Sequence, residues 1–200
     1  MKKFEREYKE IYGDIPNTQS ERVAYLLKDM NLSRSKVRIE EEMKRIRGIG
    51  WDEYHFLVKL IPKATPRPRK GKGNIFYVKG AKDNKDLFNS YLNNSDIQLI
   101  TTPTEFYCKC YLPIPASMKP VDKILAELGF IYPTSKPDVD NLAKAYCDMI
   151  QGLVLYDDAL VVKMVSEKYY SVKPRIEIVV RYMKDYDCQF NKNKIMRKDD

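Results

Sequence analysis

Histidine is almost missing from this sequence. Among 200 residues there is one, His55, and it stands between aromatic and apolar neighbours. A single histidine in that setting argues strongly against Ser-His-Asp chemistry, zinc fingers and histidine-rich metal sites. An enzyme built on this sequence must therefore rely on carboxylates and lysines.

Cysteine is scarce, and its spacing is not that of a metal site. The four cysteines form neither a CxxC motif nor the paired pattern of a zinc finger; they are Cys108, Cys110, Cys147 and Cys188. Cys108 and Cys110 alternate along a predicted strand, so they point to one face, most simply as small buried side chains. We expect free thiols, as in a cytoplasmic protein.

Long hydrophobic runs are also missing. No apolar stretch approaches the ~20 residues that span a bilayer. The N-terminal sequence MKKFEREYKE has no apolar core after its lysines, so it does not predict a secretory signal. We therefore expect a cytoplasmic protein that makes no membrane contact.

Positive charge is what the sequence has in excess. It contains 36 Lys and Arg against 28 Asp and Glu, a formal net charge of +8. Such a balance favours a polyanionic partner such as nucleic acid, although many basic proteins bind none. With 44% hydrophobic and 12% aromatic residues, the chain can build one domain with a substantial core and an appendage.

Hydrophobic patterning predicts strands interspersed with helices. Helices are predicted at 4–14, 20–31, 33–50, 83–94, 121–130 and 138–150, and strands at 53–62, 104–115, 159–170 and 174–183. Ser20 and Ser33 are the expected N-caps of the second and third helices, and Gly48 the expected stop. The helix pair joined around residues 31–35 is similar to a helix-turn-helix, but such pairs are more often packing units.

This order of elements predicts an α/β (α+β) fold. We expect a small mixed β-sheet covered by helices mainly on one face, preceded by a helical N-terminal extension. The predicted boundaries are 1–50 for the extension, 51–184 for the main domain and 185–200 for a polar tail.

A basic segment, residues 59–82, contains eight basic residues and no acidic one. Its prolines and glycines predict an irregular conformation. It is either a solvated loop or a loop that binds phosphates, with Phe76 and Tyr77 available for stacking. We favour the second, because glycines let a backbone approach phosphates closely. The candidate DNA contacts are Lys63, Arg67, Arg69, Lys70 and Lys72.

Five aspartates nevertheless gather within 21 residues; they are Asp138, Asp140, Asp148, Asp157 and Asp158. Two like charges 4 Å apart repel by about 4 kcal/mol near a protein surface. The fold must therefore spread these carboxylates over solvated turns or use them to hold a cation.

Each aspartate has an ordinary structural explanation. Asp138 could cap a helix, Asp140 could interact with the helix dipole, and the Asp157–Asp158 pair could mark a turn. Asp140, Lys144 and Asp148 follow one another at intervals of four, so they share one helix face and could form ion pairs. The opposite apolar stripe, Leu142, Ala145, Met149 and Ile150, leaves that face free to line a cleft.

All these features occur in one unit, KPDVDNLAKAYCDMIQGLVLYDDALVV, and this unit resembles the RusA family of Holliday junction resolvases. In that family a [K/R]xDxDN element is followed by a helix, then by DD and an apolar strand. PKATPRPRKG resembles the family's early loop, and KYYSVKPRIEIVV resembles its closing strand pair. The resemblance covers roughly residues 54–184.

The resemblance implies catalytic, metal-binding carboxylates at Asp138, Asp140 and Asp158 and a catalytic lysine at Lys144, with Asp157 a weaker candidate for a metal ligand. It implies a homodimer that cuts branched DNA such as a four-way junction, with Mg²⁺ as cofactor, Mn²⁺ as its substitute and no small-molecule cofactor. Carboxylates without histidine or cysteine form a hard, all-oxygen ligand set, which suits these ions better than zinc.

There are departures from the family pattern. Leu160 stands where a polar residue often follows the DD pair, and residues 1–50 and 114–135 are additions to the small family core. Two alternatives stay open. One is a non-catalytic DNA-binding protein of recombination or phage packaging, in which the aspartates are structural. The other is a nuclease that uses the same chemistry on RNA.

Overall fold

The computed structural model describes residues 18–64, 69–70, 75–76, 90 and 97–187. The chain divides into two compact units, Met1–Ile49 and Gly50–Asp200. The first contains helices α1 (Gln19–Asp29) and α2 (Lys36–Arg47). The helix predicted at 4–14 lies outside the described residues. None of the described helices is long and apolar enough to cross a membrane.

The two predicted N-caps of this unit were wrong. Helix α1 is capped by Thr18, not Ser20, because Thr18 has a glutamate three residues later: the Thr18 hydroxyl accepts from the Glu21 N–H, and the Glu21 carboxylate accepts from the Thr18 N–H. Ser33 opens a short 3₁₀ turn instead, and α2 begins only after Ser35. The predicted stop at Gly48 is confirmed.

The second unit is built on a four-stranded mixed sheet. Its elements are β1 (Trp51–Val58), β2 (Arg69–Lys70), β3 (Ile75–Phe76), β4 (Thr104–Pro113), α3 (Pro120–Glu127), α4 (Val139–Ile150), β5 (Val161–Ser171) and β6 (Arg175–Met183). The strand order is β1-β6-β4-β5, with antiparallel β1–β6 and β6–β4 pairs and a parallel β4–β5 pair. The predicted α+β class is confirmed.

The core lies between this sheet and α4. Ile176, Ile178 and Val180 of β6 are buried on one face, as their alternation predicts, together with Cys108 and Cys110 of β4. Burying one such aliphatic side chain contributes about 1.5–3 kcal/mol. The thiols of Cys108, Cys110 and Cys147 are free, as expected, and Cys188 lies outside the described residues.

The opposite face of the sheet carries charged and aromatic side chains. Lys109 pairs with Glu167 at 3.2 Å across the β4–β5 pair, and Arg181 pairs with Glu105 at 3.4 Å across β6–β4. Such cross-strand pairs are typical of a solvated sheet face. The helix that carries the DxDN element, α4, packs against the other face.

Two predicted elements differ from the structure. Strand β1 ends at Val58 rather than at residue 62, because its partner β6 begins at Arg175 and the pairing ends with Val58 opposite Ile176. The basic segment, predicted to be irregular, contains a short ladder between β2 and β3. The helix predicted at 83–94 lies outside the described residues except for Ser90, which is helical.

Candidate active site

Helix α4 carries most of the predicted site, and it begins at the DxDN element. Asp138 occupies the N-cap position with an extended backbone, but its side chain makes no capping hydrogen bond. The Asn141 side-chain amide donates to the Asp138 carboxylate instead, at 3.3 Å. Asp138 therefore has the backbone of a cap without the usual side-chain function. After the helix, Gly152 has φ +80°, a left-handed conformation that favours glycine.

The two sides of α4 differ as the sequence predicts. Its apolar stripe is buried against the sheet, and this includes Leu142, Ala145, Met149 and Ile150. Asp140, Lys144 and Asp148 are exposed on the other side. Asp140 and Lys144 form no ion pair with each other. An ion pair on the helix surface therefore does not explain the presence of Asp140 and Lys144.

The second half of α4 and the start of β5 border an open cavity of about 340 Å³. Lys144, Cys147 and Asp148 line it from the helix, and Asp158 lines it from the turn that precedes β5. The remaining wall is the beginning of β5, residues 161–164. The structure thus brings together two of the predicted catalytic residues, Lys144 and Asp158, and adds Asp148.

Asp157 and Asp158 have different surroundings although they are adjacent. The Asp157 carboxylate accepts a hydrogen bond from the Ala159 N–H at 2.9 Å and so caps the 3₁₀ turn Asp158–Leu160. Asp158 is exposed and lies on the cavity wall. The local structure therefore gives Asp157 a capping function and leaves Asp158 facing the cavity.

Two carboxylates of the cavity act on the thiol of Cys147. Burial raises the pKa of the Cys147 thiol to about 11, and the charges of Asp148 and Asp158 act in the same direction. Both carboxylates are thus close enough to disfavour the same thiolate. A divalent cation or a basic group would neutralise the charges of Asp148 and Asp158.

The other two predicted carboxylates belong to the opposite end of α4. Asp140 and Asp148 are eight residues apart, about 12 Å along a helix axis. The beginning of α4 lies against the middle of β5, where the Ser166 hydroxyl donates to the Val139 carbonyl at 3.1 Å. Within the described residues no group of three or more His, Cys, Asp or Glu could hold a metal ion. The ligand set Asp138, Asp140 and Asp158 therefore stays a prediction.

The cavity offers Mg²⁺ oxygen ligands, which this ion prefers, and it offers two carboxylates, a number that suffices for this ion. Mg²⁺ is usually bound through one or two carboxylates and completes its shell with water and substrate phosphates. Asp148 and Asp158 supply two carboxylates beside the ammonium group of Lys144. Asp148 was not assigned to the site from the sequence, although its position four residues after Lys144 placed it on the same helix face.

The structure places one of the five candidate DNA contacts in full. Lys63 is exposed, and the Tyr146 hydroxyl of α4 holds its backbone. Arg69 and Lys70 are described only as strand β2, without their side chains, and Arg67 and Lys72 lie outside the described residues. The stacking candidate Phe76 is in β3, and Tyr77 lies outside the described residues.

Comparison with known proteins agrees with this arrangement of motif and sheet. The family model of the endodeoxyribonuclease RusA matches residues 58–181, more than half of the chain. The uncharacterized protein YqaN of Bacillus subtilis (strain 168) is 40% identical over 85 residues, which are 42% of this chain and 60% of YqaN. The match to that relative thus covers less than two thirds of its length. Because the family model extends from the end of β1 through the DxDN helix to β6, the chain belongs to the RusA endodeoxyribonuclease family.

Proposed function

We propose that this protein is a metal-dependent, structure-selective endodeoxyribonuclease that resolves Holliday junctions by paired symmetric nicks. Membership of the RusA family supports the endonuclease activity and branched DNA as the substrate. The observation that carries the proposal is the cavity in which Lys144, Asp148 and Asp158 meet. It combines Lys144 and Asp148, on the exposed side of α4, with Asp158 from the turn that precedes β5.

The residues of the cavity have distinct chemical roles. A bound Mg²⁺ would supply positive charge that polarises the scissile phosphate and acidifies a water molecule. Asp148 and Asp158 would hold an ion in the cavity. The family resemblance implies a ligand set of Asp138, Asp140 and Asp158, in which Asp138 and Asp140 come from the other end of α4. The ammonium group of Lys144 would stabilise the negative charge that develops on the phosphate oxygens, or orient the attacking water.

The DNA contacts begin beside this helix. Tyr146 of α4 is bonded to the backbone of Lys63, near the start of the basic segment. Phosphates bound there would be held at a fixed position relative to the cavity residues of the same helix. Such contacts position the DNA and carry no sequence information.

The functional unit we propose is a homodimer. Resolution of a four-way junction requires two symmetric nicks, and a twofold dimer presents two equivalent sites. The molecular mass in solution, measured by light scattering across a concentration series, tests this assembly directly. A monomer at all concentrations would contradict it.

One observation favours a second candidate, a non-catalytic protein that binds branched DNA. Within the described part of the chain, no three carboxylates gather at one point. In this alternative the basic segment binds DNA, and the aspartates stabilise turns and helix ends. The two candidates make opposite predictions about cleavage.

A synthetic four-way junction with a mobile core distinguishes them. We expect nicks at equivalent positions on opposing strands in Mg²⁺ or Mn²⁺, none in the presence of a chelator, and no restoration by Zn²⁺. A linear duplex of the same sequence and a matched RNA junction serve as controls. Junction binding without cleavage in any metal would favour the second candidate, and faster cutting of the RNA junction would change the substrate class.

A further inference from the structure

The segment that leads into α4 is bonded to strand β5. One basic side chain of the strand, Lys168, makes the contacts. We propose that Lys168 is a positioning residue, which fixes the DxDN segment so that Asp138 and Asp140 keep a defined position over the sheet. The proposal deepens the nuclease function proposed above and rests on it. Lys168 opens the stretch KYYSVKPRIEIVV, which resembles the family's closing strand pair, but the sequence assigned it no role in the site.

The contacts of Lys168 are with backbone groups on one side of Asp138. Its ammonium group donates to the Ser135 carbonyl at 2.8 Å and to the Pro137 carbonyl at 3.1 Å. Hydrogen bonds from a charged donor are shorter and stronger than neutral ones. One side chain thus holds two carbonyl groups of the three residues that precede Asp138.

A second contact from the same strand holds the other side of Asp138. Ser166, two residues before Lys168 and on the same face of β5, donates through its hydroxyl to the Val139 carbonyl at 3.1 Å. In the parallel β4–β5 pair, Ser166 and Lys168 lie opposite Cys108 and Cys110, which are both buried. The two anchoring side chains therefore rise from a well-packed part of the sheet.

The start of α4 needs such an external anchor. An N-cap aspartate normally fixes the first helical turn by accepting a hydrogen bond from a backbone N–H. Asp138 makes no such bond. The anchor on β5 fixes the same backbone from outside, so the Asp138 carboxylate is not needed for capping. The turn that contains Asp158 leads directly into β5. The same strand therefore helps to position Asp158 and, through Lys168, the carboxylates at the start of α4.

The test compares Lys168→Met with Lys173→Met. Lys173 is an exposed lysine in the β5–β6 turn, so its substitution makes the same change in charge without touching the anchor. Hydrogen–deuterium exchange is measured on peptides that cover residues 134–143. We expect exchange there to accelerate by about tenfold or more in Lys168→Met and to stay at the wild-type rate in Lys173→Met. Ser166→Ala should give a smaller acceleration in the same peptides.

The second readout is junction cleavage, separated into turnover and binding. We expect Lys168→Met to lower kcat by about tenfold or more, because small displacements of catalytic groups have large effects on rate. Its junction Kd should equal that of Lys173→Met. Lys168→Arg, which can still donate to both carbonyls, should recover much of the protection and the turnover; if Lys168→Met does not fold, the comparison is made with Lys168→Arg and Ser166→Ala.

The outcomes separate this inference from the function on which it rests. Unchanged exchange in Lys168→Met would overturn the anchor whatever the cleavage assay shows. Faster exchange with a kcat equal to that of Lys173→Met would overturn the positioning role. A wild-type protein that cuts no branched DNA would overturn the nuclease function instead, while the exchange data would still decide whether Lys168 holds the segment.

Discussion

The side chain of Tyr146 on α4 is bonded to both backbone polar groups of Lys63. Its hydroxyl accepts from the Lys63 N–H at 2.9 Å and donates to the Lys63 carbonyl at 3.3 Å. The two residues are 83 positions apart in the chain. This contact links the buried side of the helix that lines the cavity to the segment that we expect to bind DNA.

Replacing Tyr146 with Phe should therefore affect stability and DNA binding together. The change leaves the ring in the core but removes the partner of two backbone groups, which should lower the free energy of unfolding by about 1–3 kcal/mol. Urea unfolding measures this, and junction affinity should fall in parallel. Tyr132→Phe is the control: Tyr132 is 58% exposed, so the change should be nearly neutral. A Tyr146→Phe protein with wild-type stability and affinity would show that the contact is dispensable.

Neutralising the predicted catalytic carboxylates should separate cleavage from binding. Asp138→Asn, Asp140→Asn and Asp158→Asn should each lower the rate of junction cleavage by about a hundredfold or more, because each removes a metal ligand or a charge that holds one. Junction affinity measured without metal should equal or exceed that of the wild type, because each substitution removes a negative charge that repels the phosphates. Near-normal turnover in Mg²⁺ for any one of the three would remove that residue from the site.

Asp148 should behave as a member of the site, although the sequence did not assign it a role. It shares the cavity with Lys144 and Asp158. Asp148→Asn should raise the Mg²⁺ concentration needed for half-maximal cleavage by about tenfold or more. Asp185→Asn, a change at an exposed aspartate just after β6, is the matched control and should leave the metal requirement unchanged. An identical metal titration for both variants would assign Asp148 an ordinary surface role.

The basic segment should contribute to the salt dependence of binding. Neutralising Arg67, Arg69 and Lys70 together should weaken binding to all DNA shapes. It should also reduce the slope of log Kd against log salt by roughly one unit for each phosphate that the variant no longer binds. Neutralising three lysines of the first unit, Lys28, Lys36 and Lys44, provides a charge-matched comparison. Equal slopes in the two triple variants would mean that the basic segment is merely solvated.

The raised pKa of Cys147 should be detectable in the pH dependence of stability. The pKa of its thiol is about 11 in the folded protein, above its ordinary value of 9.0. A raised pKa means that the unfolded chain loses this proton first, so the contribution of Cys147 to stability is complete below about pH 9 and is lost as the pH rises towards 11. In urea unfolding between pH 8 and 11, Cys147→Ala should therefore lose stability less steeply than the wild type. Parallel slopes would contradict the raised pKa of Cys147 in the folded protein.

The sequence determined the elements that have a strong local signal. Alternation of Ile176, Ile178 and Val180 predicted β6 and its buried face, and the stripe from Leu142 to Ile150 predicted which side of α4 is buried. These patterns are reliable because burial of apolar side chains dominates the free energy of folding. Cap positions were less predictable: Thr18 rather than Ser20 caps α1, since the choice depends on the Glu21 side chain as well as on the capping residue itself.

The motif alone showed that carboxylates and a lysine share one unit, and the RusA resemblance rested on that spacing. Only the tertiary structure decided which of them meet. The packing of α4 along β5 brings Asp158 beside Lys144 and Asp148 in one cavity, and it places the DxDN end of the helix over Ser166 and Lys168. The spacing of residues along a helix determines which of them share a face and how far apart they lie along its axis. The distance to a residue on another element depends on how strand and helix pack, and no local pattern records that.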